Sequence, residues 1–269
     1  FLPAAKDPEL VEHLRIIRTI QEELNRKGAT LTISSAPRLG AAEDVQILAD
    51  RLSRLVADYV THPYRKGIGA AQIPAIVLAQ ATTANARGQH DEALKLLSSI
   101  DATALDLHSL LSFYEIRSRA YYATRQWDLA ISDYSAILNS TTKSQDREYL
   151  YRYHVLRGNA YYSSPTGREA AAAADFTKAL TFCEDFAAYA NRAGARLLLS
   201  KWEQALADAN RAIGLEPMAP EAYRNRAQVY HCQGDFDRAI ADLDRALDLP
   251  AQTVFRRGIR AELYVLRAR

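Results

Sequence analysis

The chain has 269 residues, of which 48% are hydrophobic and 25% charged, and its formal net charge at pH 7 is +2. These proportions predict a soluble globular or solenoid protein. The nearly balanced charge argues against nucleic acid as a partner, and without a run of about 18 apolar residues no transmembrane helix is predicted. Phe1-Leu2-Pro3 is too short for a secretory signal, and the sequence, which starts without Met, leaves open whether the chain is a fragment or a processed form.

Two helices are predicted in residues 1–70. The first begins near Asp7, where acidic residues and Pro are typical of a first turn, and apolar residues follow at helical spacing. The second spans residues 43–60. Residues 29–41 between them are predicted to be a loop, with an extended segment at the strand-like residues 30–33 as the alternative. The pair is either an N-terminal helical cap or two degenerate repeats, and the sequence leaves both open.

From residue 74 onward, pairs of short amphipathic helices recur. Five units are predicted, and their fidelity to one pattern increases along the chain: residues 74–107, 111–142, 151–185, 186–219 and 220–253. In the third unit, residues 163–167 lengthen the turn between the two helices by two residues. Residues 254–269 are predicted to form a capping helix with a polar outer face.

The last two units repeat the sequence pattern of one helical hairpin. Eight pairs of identical or similar residues are each 34 apart: Tyr189 and Tyr223, Asn191 and Asn225, Ala193 and Ala227, Trp202 and Phe236, Ala205 and Ala239, Asp208 and Asp242, Arg211 and Arg245, Ala212 and Ala246. A period of about 34 residues is typical of a solenoid whose units bury their apolar faces against each other.

The fifth unit shows the local logic of the repeat. Helices are predicted over residues 221–232 and 236–249, and Gly234 ends the first because glycine tolerates the left-handed conformation. Charged residues of the second helix, Asp242 and Asp244 among them, are predicted to point outward into solvent.

These units resemble the tetratricopeptide repeat family, whose pattern places aromatic, small and glycine residues at set positions. The fifth unit matches at Tyr223, Ala227, Tyr230, Gly234, Phe236, Ala239, Leu243, Ala246 and Pro250. In the fourth unit, Arg196 stands where the second aromatic is expected and Ser200 where Gly is expected. The resemblance implies an all-α fold, a right-handed α-α superhelix of antiparallel helix pairs.

The resemblance also implies a concave groove, lined by the first helix of each unit, that binds a peptide. The side chains predicted to line it are Arg119, Tyr122, Asn159, Tyr162, Asn191, Arg224, Asn225, Gln228 and His231. An Asn amide offers both a donor and an acceptor, so the recurrence of Asn favours a ladder that pairs with a peptide backbone. The alternative that these Asn are tolerated surface residues stays open.

One subgroup of the family holds the C-terminal carboxylate of chaperones with Lys, Asn and Arg side chains. Here Val155, Glu221 and Asn225 stand where Lys, Lys and Arg are needed. Binding of chaperone tails is therefore rejected.

Motifs for catalysis, cofactors and metals are missing from the sequence. It has no phosphate-binding Gly-rich loop, no nucleophile elbow and no metal-binding His pair on a helix. We therefore predict no enzyme, no cofactor, no metal and no small-molecule substrate. Cys183 and Cys232 lack paired spacing, which favours free thiols in a reducing, cytoplasmic compartment.

The sequence thus predicts a non-catalytic scaffold or adaptor that binds a peptide or protein segment. The alternative is a sensor or regulatory domain of a larger ATPase, signalling protein or transcription regulator, motivated by the start without Met and the N-terminal helices. Pairing of two chains through the end repeats is a further expectation.

Overall fold

A computed structural model describes residues 8–33, 41–61, 74–140, 146–249 and 253–267. These ranges contain thirteen α-helices: α1 Pro8–Ile33, α2 Ala41–Thr61, α3 Pro74–Ala86, α4 His90–Leu97, α5 Leu107–Ala123, α6 Trp127–Ser140, α7 Arg147–Ser163, α8 Glu169–Leu180, α9 Phe186–Leu198, α10 Trp202–Leu215, α11 Pro220–Cys232, α12 Phe236–Asp248 and α13 Thr253–Arg267. Consecutive helices pack in antiparallel pairs, so the predicted all-α fold is confirmed. The chain forms two compact units, unit 1 with α1 to α6 and unit 2 with α7 to α13.

Unit 1 is held together by two hydrophobic clusters. In the first, Ile17 of α1 and Leu52 of α2 pack with Ile76 of α3, and all three are buried. In the second, Leu97 of α4 packs with Phe113 of α5. The N-terminal helices therefore bury their apolar faces against the first helix of the repeat region.

The prediction of a loop at residues 29–41 is wrong for the first residues of this range. Helix α1 continues to Ile33, so residues 30–33 are helical rather than looped or extended, while residues 34–40 lie outside the described ranges. β-Branched residues lower helix propensity by only about 0.5 kcal/mol each. That is too little to stop a helix that is already nucleated and grows by one hydrogen bond per residue.

Helices α5 and α7 begin earlier than the residues assigned to their units. They start at Leu107 and Arg147, four residues before the predicted unit starts at 111 and 151. The cause is an aspartate cap at each N-terminus, where Asp106 accepts from the Ser109 N–H at 2.8 Å and Asp146 from the Tyr149 N–H at 3.1 Å. Each cap satisfies a backbone donor that has no partner inside the helix.

The turns inside the helix pairs share one backbone conformation. Four turns are three residues long, and the turn of residues 164–168 is two residues longer, as the sequence insertion predicts. The middle residue of the short turns is left-handed, with φ of 75° at Gly88, 60° at Arg125, 57° at Ser200 and 81° at Gly234. Ser200 thus adopts the conformation of the glycine that it replaces, which costs a non-glycine residue about 1–2 kcal/mol.

Unit 2 has a core of small and aromatic residues. Phe176 of α8 is fully buried and packs against Ala188 of α9. At the C-terminal end, Leu243 of α12 packs with Ile259 and Leu263 of α13. Helix α13 therefore covers the apolar face of the last helix pair.

Four helix pairs are each tied by a buried ion pair between an arginine of the first helix and an aspartate of the second. Every pair has two parallel hydrogen bonds of 2.7 to 2.9 Å: Arg117 with Asp133, Arg157 with Asp175, Arg192 with Asp208, and Arg226 with Asp242. Asp242 is only 7% exposed, so the predicted outward orientation of this residue is wrong. Burial is tolerated because a bidentate guanidinium satisfies both carboxylate oxygens.

Two of these aspartates, Asp133 and Asp175, differ in their surroundings and in the direction in which their pKa is shifted. Burial raises the pKa of Asp133 above its ordinary value, and the bonds from Arg117 offset this only in part. Burial also acts to raise the pKa of Asp175, but hydrogen bonds from Arg157 and from His154, at 2.9 Å, outweigh it and the pKa is lowered.

Arg196 stands where the repeat pattern expects the second aromatic residue, and the structure explains this difference. In the fifth unit, Tyr223 and Tyr230 lie beside the Arg226 guanidinium, at 5.6 and 6.0 Å from the ring centroids. In the fourth unit, the Arg196 guanidinium instead donates to Asp208 at 2.6 Å. A second arginine therefore supports the ion pair where the pattern expects an aromatic ring.

Candidate functional site

The nine side chains predicted to line a groove are distributed over both units. Unit 1 holds two of them on α5, and unit 2 holds seven on α7, α9 and α11: Arg119 and Tyr122; Asn159, Tyr162, Asn191, Arg224, Asn225, Gln228 and His231. Binding of a peptide by these residues remains a prediction.

The asparagines connect neighbouring first helices. Asn191 of α9 donates to the side-chain oxygen of Asn159 on α7 at 3.0 Å, and Asn225 of α11 donates to the Ala190 carbonyl on α9 at 2.7 Å. Asn159 is only 8% exposed. These bonds engage amide donors inside the fold, so they help to set the spacing of α7, α9 and α11.

Asn85 has the same role in unit 1 and was not among the predicted residues. Its amide nitrogen on α3 donates to the Ile116 carbonyl on α5 at 2.7 Å. The sequence signal that could have found it is weak, because the first unit retains few of the other pattern residues.

Tyr162 lies across helix α9 in unit 2. A Cβ atom added to Gly194 would be 2.9 Å from the Tyr162 hydroxyl oxygen, so the ring reaches this place because position 194 has no side chain. Tyr162 remains 40% exposed. Burial raises its pKa, an effect that the nearby positive charge of Arg224 opposes. Tyr162 and Arg224, two predicted site residues, are thus neighbours.

A cavity of 360 Å³ lies between α11, α12 and α13. Its apolar wall is formed by Ala227, Leu243, Ala261 and Val265, and the predicted groove residues Gln228 and His231 also line it. This volume is in the range of pockets that hold small ligands or buried side chains. The cavity can therefore accept an apolar group, with polar side chains at hand to orient it.

An ion pair joins α11 to α13 next to this cavity. Arg224 donates through Nε to Glu262 at 3.0 Å, and its Nη2 contacts the same oxygen. Glu262 also lines the cavity. The charges of both side chains are thus directed at each other.

Unit 1 contains a second pocket, of 310 Å³, with a different chemical character. It is lined by Asn85, His90, Arg119, Tyr122 and Ala123. The His90 Nδ1 lies 3.1 Å from the Asn85 side-chain oxygen, and Arg119 donates to the side-chain oxygen of the buried Asn25 at 3.3 Å. Burial lowers the pKa of His90, and the Arg119 charge lowers it further.

The described ranges of the chain show neither a membrane-spanning helix nor a cluster of metal ligands. No helix described there is long and apolar enough to cross a membrane. Among the described side chains, no three His, Cys, Asp or Glu residues lie together as metal ligands would.

Comparison with known proteins supports one family. The family model of the tetratricopeptide repeat matches residues 192–263, which span most of α9 to α13. A comparison with curated proteins finds no significant match.

Several solved structures share the fold. BtubC from P. vanneervenii is 18% identical, with a TM-score of 0.55 over 83% of this chain and 92% of that chain. MamA of MSR-1 is 17% identical, with a TM-score of 0.53 over 65% and 95%. YrrB, a TPR protein described as having an unusual peptide-binding site, is 14% identical, with a TM-score of 0.51 over 72% and 91%. At these identities the likeness shows the fold alone. With the match of residues 192–263 to the family model and the recurring helix pairs, it shows that this chain has the fold of tetratricopeptide repeat proteins.

Proposed function

We propose that this protein is a non-catalytic interaction module that binds a segment of a partner protein through the first helices of its repeats. In unit 2, an apolar side chain of that segment enters the cavity between α11 and α13. Tyr162, Gln228 and His231 contact the flanking residues of the segment.

The cavity is the observation on which this proposal rests. Four apolar side chains form its wall, and two residues of the predicted groove, Gln228 and His231, line it as well. A side chain that fills an apolar cavity contributes about 25 cal/mol per Å² of apolar surface removed from water. A single anchor residue can therefore supply much of the binding free energy, as in other interfaces dominated by a few buried side chains.

The resemblance to the tetratricopeptide repeat family also supports a role in protein binding. Tetratricopeptide repeat proteins typically act as protein–protein interaction scaffolds and are usually non-catalytic. YrrB, which shares the fold, is described as a peptide-binding protein. We carry this property over to the present chain as part of the proposal.

The asparagines are less suited to carry the recognition. The side chains of Asn191 and Asn225 already donate hydrogen bonds between helices. Replacing them with Ala would remove these bonds along with any contact to a partner, so a loss of binding could reflect altered helix spacing. A variant that fills the cavity separates the two effects better.

The test uses the substitution Ala261→Leu. Ala261 is exposed on α13 and lines the cavity, so a leucine there occupies space that the anchor needs. The matched control is Ala241→Leu, the same change at an exposed position of α12 that does not line the cavity. Peptides are selected on the wild-type chain from a random-peptide phage library, and their affinities are measured by fluorescence polarisation.

We expect the selected peptides to share a large apolar residue. We expect Ala261→Leu to weaken their binding by tenfold or more, while Ala241→Leu keeps the wild-type affinity and both variants keep wild-type helicity. Equal binding by the two variants would place the site elsewhere. Selection of no peptide would argue against an extended segment as the ligand.

A further inference from the structure

Helix α13 has the residues with which the first helix of a repeat holds the second. Three residues of α11 recur on α13 at the offset of 34: Arg226 as Arg260, Ala227 as Ala261, and Tyr230 as Tyr264. Spacings of three and four residues place them on one face of each helix. On α11, this face packs against α12.

The same face is covered on α11 and exposed on α13. Ala227 is 1% exposed and Tyr230 is half-buried. Ala261 is exposed, and Tyr264 is 75% exposed. The opposite side of α13 packs on α12. Helix α13 therefore has one buried side and one uncovered side, and the uncovered side has the composition of a helix–helix interface.

Arg260 is exposed, and no carboxylate pairs with it among the described residues of unit 2. On the same helix, Glu262 is engaged by Arg224. By contrast, the corresponding arginine of each preceding first helix from α5 onward binds a buried aspartate of its second helix. Arg260 is thus the cation of the recurring ion pair without the anion.

The edge of the Arg260 guanidinium that would bind this anion is available. Arg226 donates to Asp242 through Nε and Nη2 and to Asn210 of the preceding second helix through Nη1. Asp244 corresponds to Asn210 at the offset of 34. A contact at the Asp244 position would therefore involve Nη1 and leave the Nε and Nη2 edge of Arg260 open.

The second helices show what chemistry fits such a face. Each has a fully buried alanine three residues before its buried aspartate: Ala130 and Asp133, Ala172 and Asp175, Ala205 and Asp208, Ala239 and Asp242. The alanine lets two helix backbones approach, and the aspartate binds the guanidinium through both oxygens. In a second copy of this chain, these four segments are already buried against their own first helices. The face of α13 therefore fits a helix from a different protein.

We propose that the face of α13 formed by Arg260, Ala261 and Tyr264 binds an amphipathic helix of a partner protein that contains Ala-x-x-Asp. The aspartate accepts two parallel hydrogen bonds from Arg260, the alanine packs on Ala261, and Tyr264 covers the flank of the helix. This interaction goes beyond the proposed function, because it uses the uncovered side of α13 instead of the groove. Ala261 borders both surfaces, so the test leaves it unchanged.

A peptide copied from α12 is a suitable probe. It comprises residues 235–249 with both ends blocked and a fluorescent label, and it carries Ala239 and Asp242 at the required spacing. Isolated helices of this length are marginal in water. A hydrocarbon staple therefore joins positions 241 and 245, which are both exposed on α12. Fluorescence polarisation at physiological ionic strength gives the Kd for the full chain.

Variants of the chain and of the peptide locate the contact. Arg260→Gln should weaken binding by about tenfold or more, because the peptide carboxylate loses its guanidinium, and Tyr264→Ala should weaken it as well. The matched control Arg245→Gln removes an exposed arginine of α12 and should change the Kd by about twofold at most. In the peptide, Asp242→Asn should reproduce the loss, whereas Asp248→Asn, the same charge change at an exposed position, should not.

A charge swap tests the pairing directly. Arg260→Asp in the chain and Asp242→Arg in the peptide should each weaken binding, and together they should recover most of the affinity. Circular dichroism checks that the chain variants keep wild-type helicity.

Three results would overturn the proposal. The first is no binding of the stapled peptide to the wild-type chain, and the second is a Kd that does not depend on Arg260, which would place the peptide elsewhere. The third is self-association of the wild-type chain that Arg260→Gln abolishes in sedimentation velocity, which would make a second copy the occupant. Arg260 and Tyr264 do not line the cavity, so failure here leaves the proposed function intact, and failure of the Ala261→Leu experiment leaves this proposal intact.

Discussion

Gly158 and Gly214 both lie inside helices, yet replacing them with Ala should have opposite effects on stability. Gly158 is on α7, where an added Cβ atom would lie 2.7 Å from Cε1 and 3.0 Å from Cδ1 of Phe176. Ordinary carbon–carbon contacts are about 3.5–4.0 Å. The Phe176 ring is fully buried, so it must move by most of an ångström within a packed core. Gly214 is on α10, where an added Cβ meets no atom within 4 Å.

The magnitudes follow from two terms. Ala is favoured over Gly in a helix interior by about 1 kcal/mol, and this gain applies to both sites, although it is smaller near the end of α10. Overpacking a core costs about 1–3 kcal/mol and applies to Gly158 alone. We therefore expect Gly214→Ala to stabilise its region by up to about 1 kcal/mol. Gly158→Ala should be less stable than Gly214→Ala by about 1–3 kcal/mol.

Hydrogen exchange is the suitable assay, because arrays of repeats need not unfold in one cooperative step. The free energy of opening is compared for the amides of α7 and α8 in Gly158→Ala and for those of α9 and α10 in Gly214→Ala, each against wild type. Circular dichroism during urea denaturation gives the global midpoint. If Gly158→Ala matches Gly214→Ala in both measurements, the close packing of Phe176 on α7 is not a constraint and the argument fails.

Three further changes test other features. Ser200→Gly should raise the thermal midpoint, with a gain of about 0.5–1 kcal/mol, because it relieves a left-handed serine; an unchanged midpoint would show that this turn stores no strain. Asp175→Asn should cost about 3–5 kcal/mol in urea denaturation at pH 7, because Arg157 loses its buried partner. The lowered pKa of Asp175 means that its stabilisation is present above about pH 4 and is lost as the pH falls through the native pKa, so the variant should lack this part of the acid sensitivity; a parallel pH profile would contradict this. Gly194→Ala should keep the helicity of wild type but displace Tyr162 and weaken peptide binding, whereas the same binding as Gly214→Ala would remove Tyr162 from the site.

The repeat fold was predictable because its signal is distributed over many residues. Eight pairs of matching residues share an offset of 34, so the repeat would still be recognised if any one pair were missing. The turn at Ser200 shows the strength of such a pattern, since the serine adopts the left-handed conformation of the missing glycine. The pattern of the fold therefore overrides the preference of a single residue.

The buried ion pairs were not predicted, for a physical reason. Helical periodicity separates apolar from charged residues, and it assigns any aspartate to the solvent side. Asp242 is buried because Arg226, sixteen residues earlier and across the turn, satisfies both of its oxygens. A signal did exist: the same spacing of sixteen recurs between Arg192 and Asp208, and recurrence of a charge pair is the pattern that would have revealed it.

The candidate site was less predictable, because a groove position does not reveal which helix its side chain will contact. The recurrence of Asn191 and Asn225 favours a role in peptide binding, and in the structure their amide nitrogens donate hydrogen bonds that bridge helices. The cavity could not be inferred at all, since it depends on how α13 packs beside α11. Recurrence identifies positions that matter to the repeat, and it does not separate spacing of helices from contact with a partner.

The ion pair between Arg224 and Glu262 connects the cavity to the rest of unit 2. Helix α13 packs on α12 through Ile259 and Leu263, and the ion pair links it to α11 beside the space between the two helices. With side-chain exposures of 36% and 29%, the pair contributes little to global stability. Its geometric effect is larger, because it fixes the distance between two walls of the cavity. Loss of the ion pair between Arg224 and Glu262 should therefore alter which apolar side chain fits the cavity, with little effect on the stability of the fold.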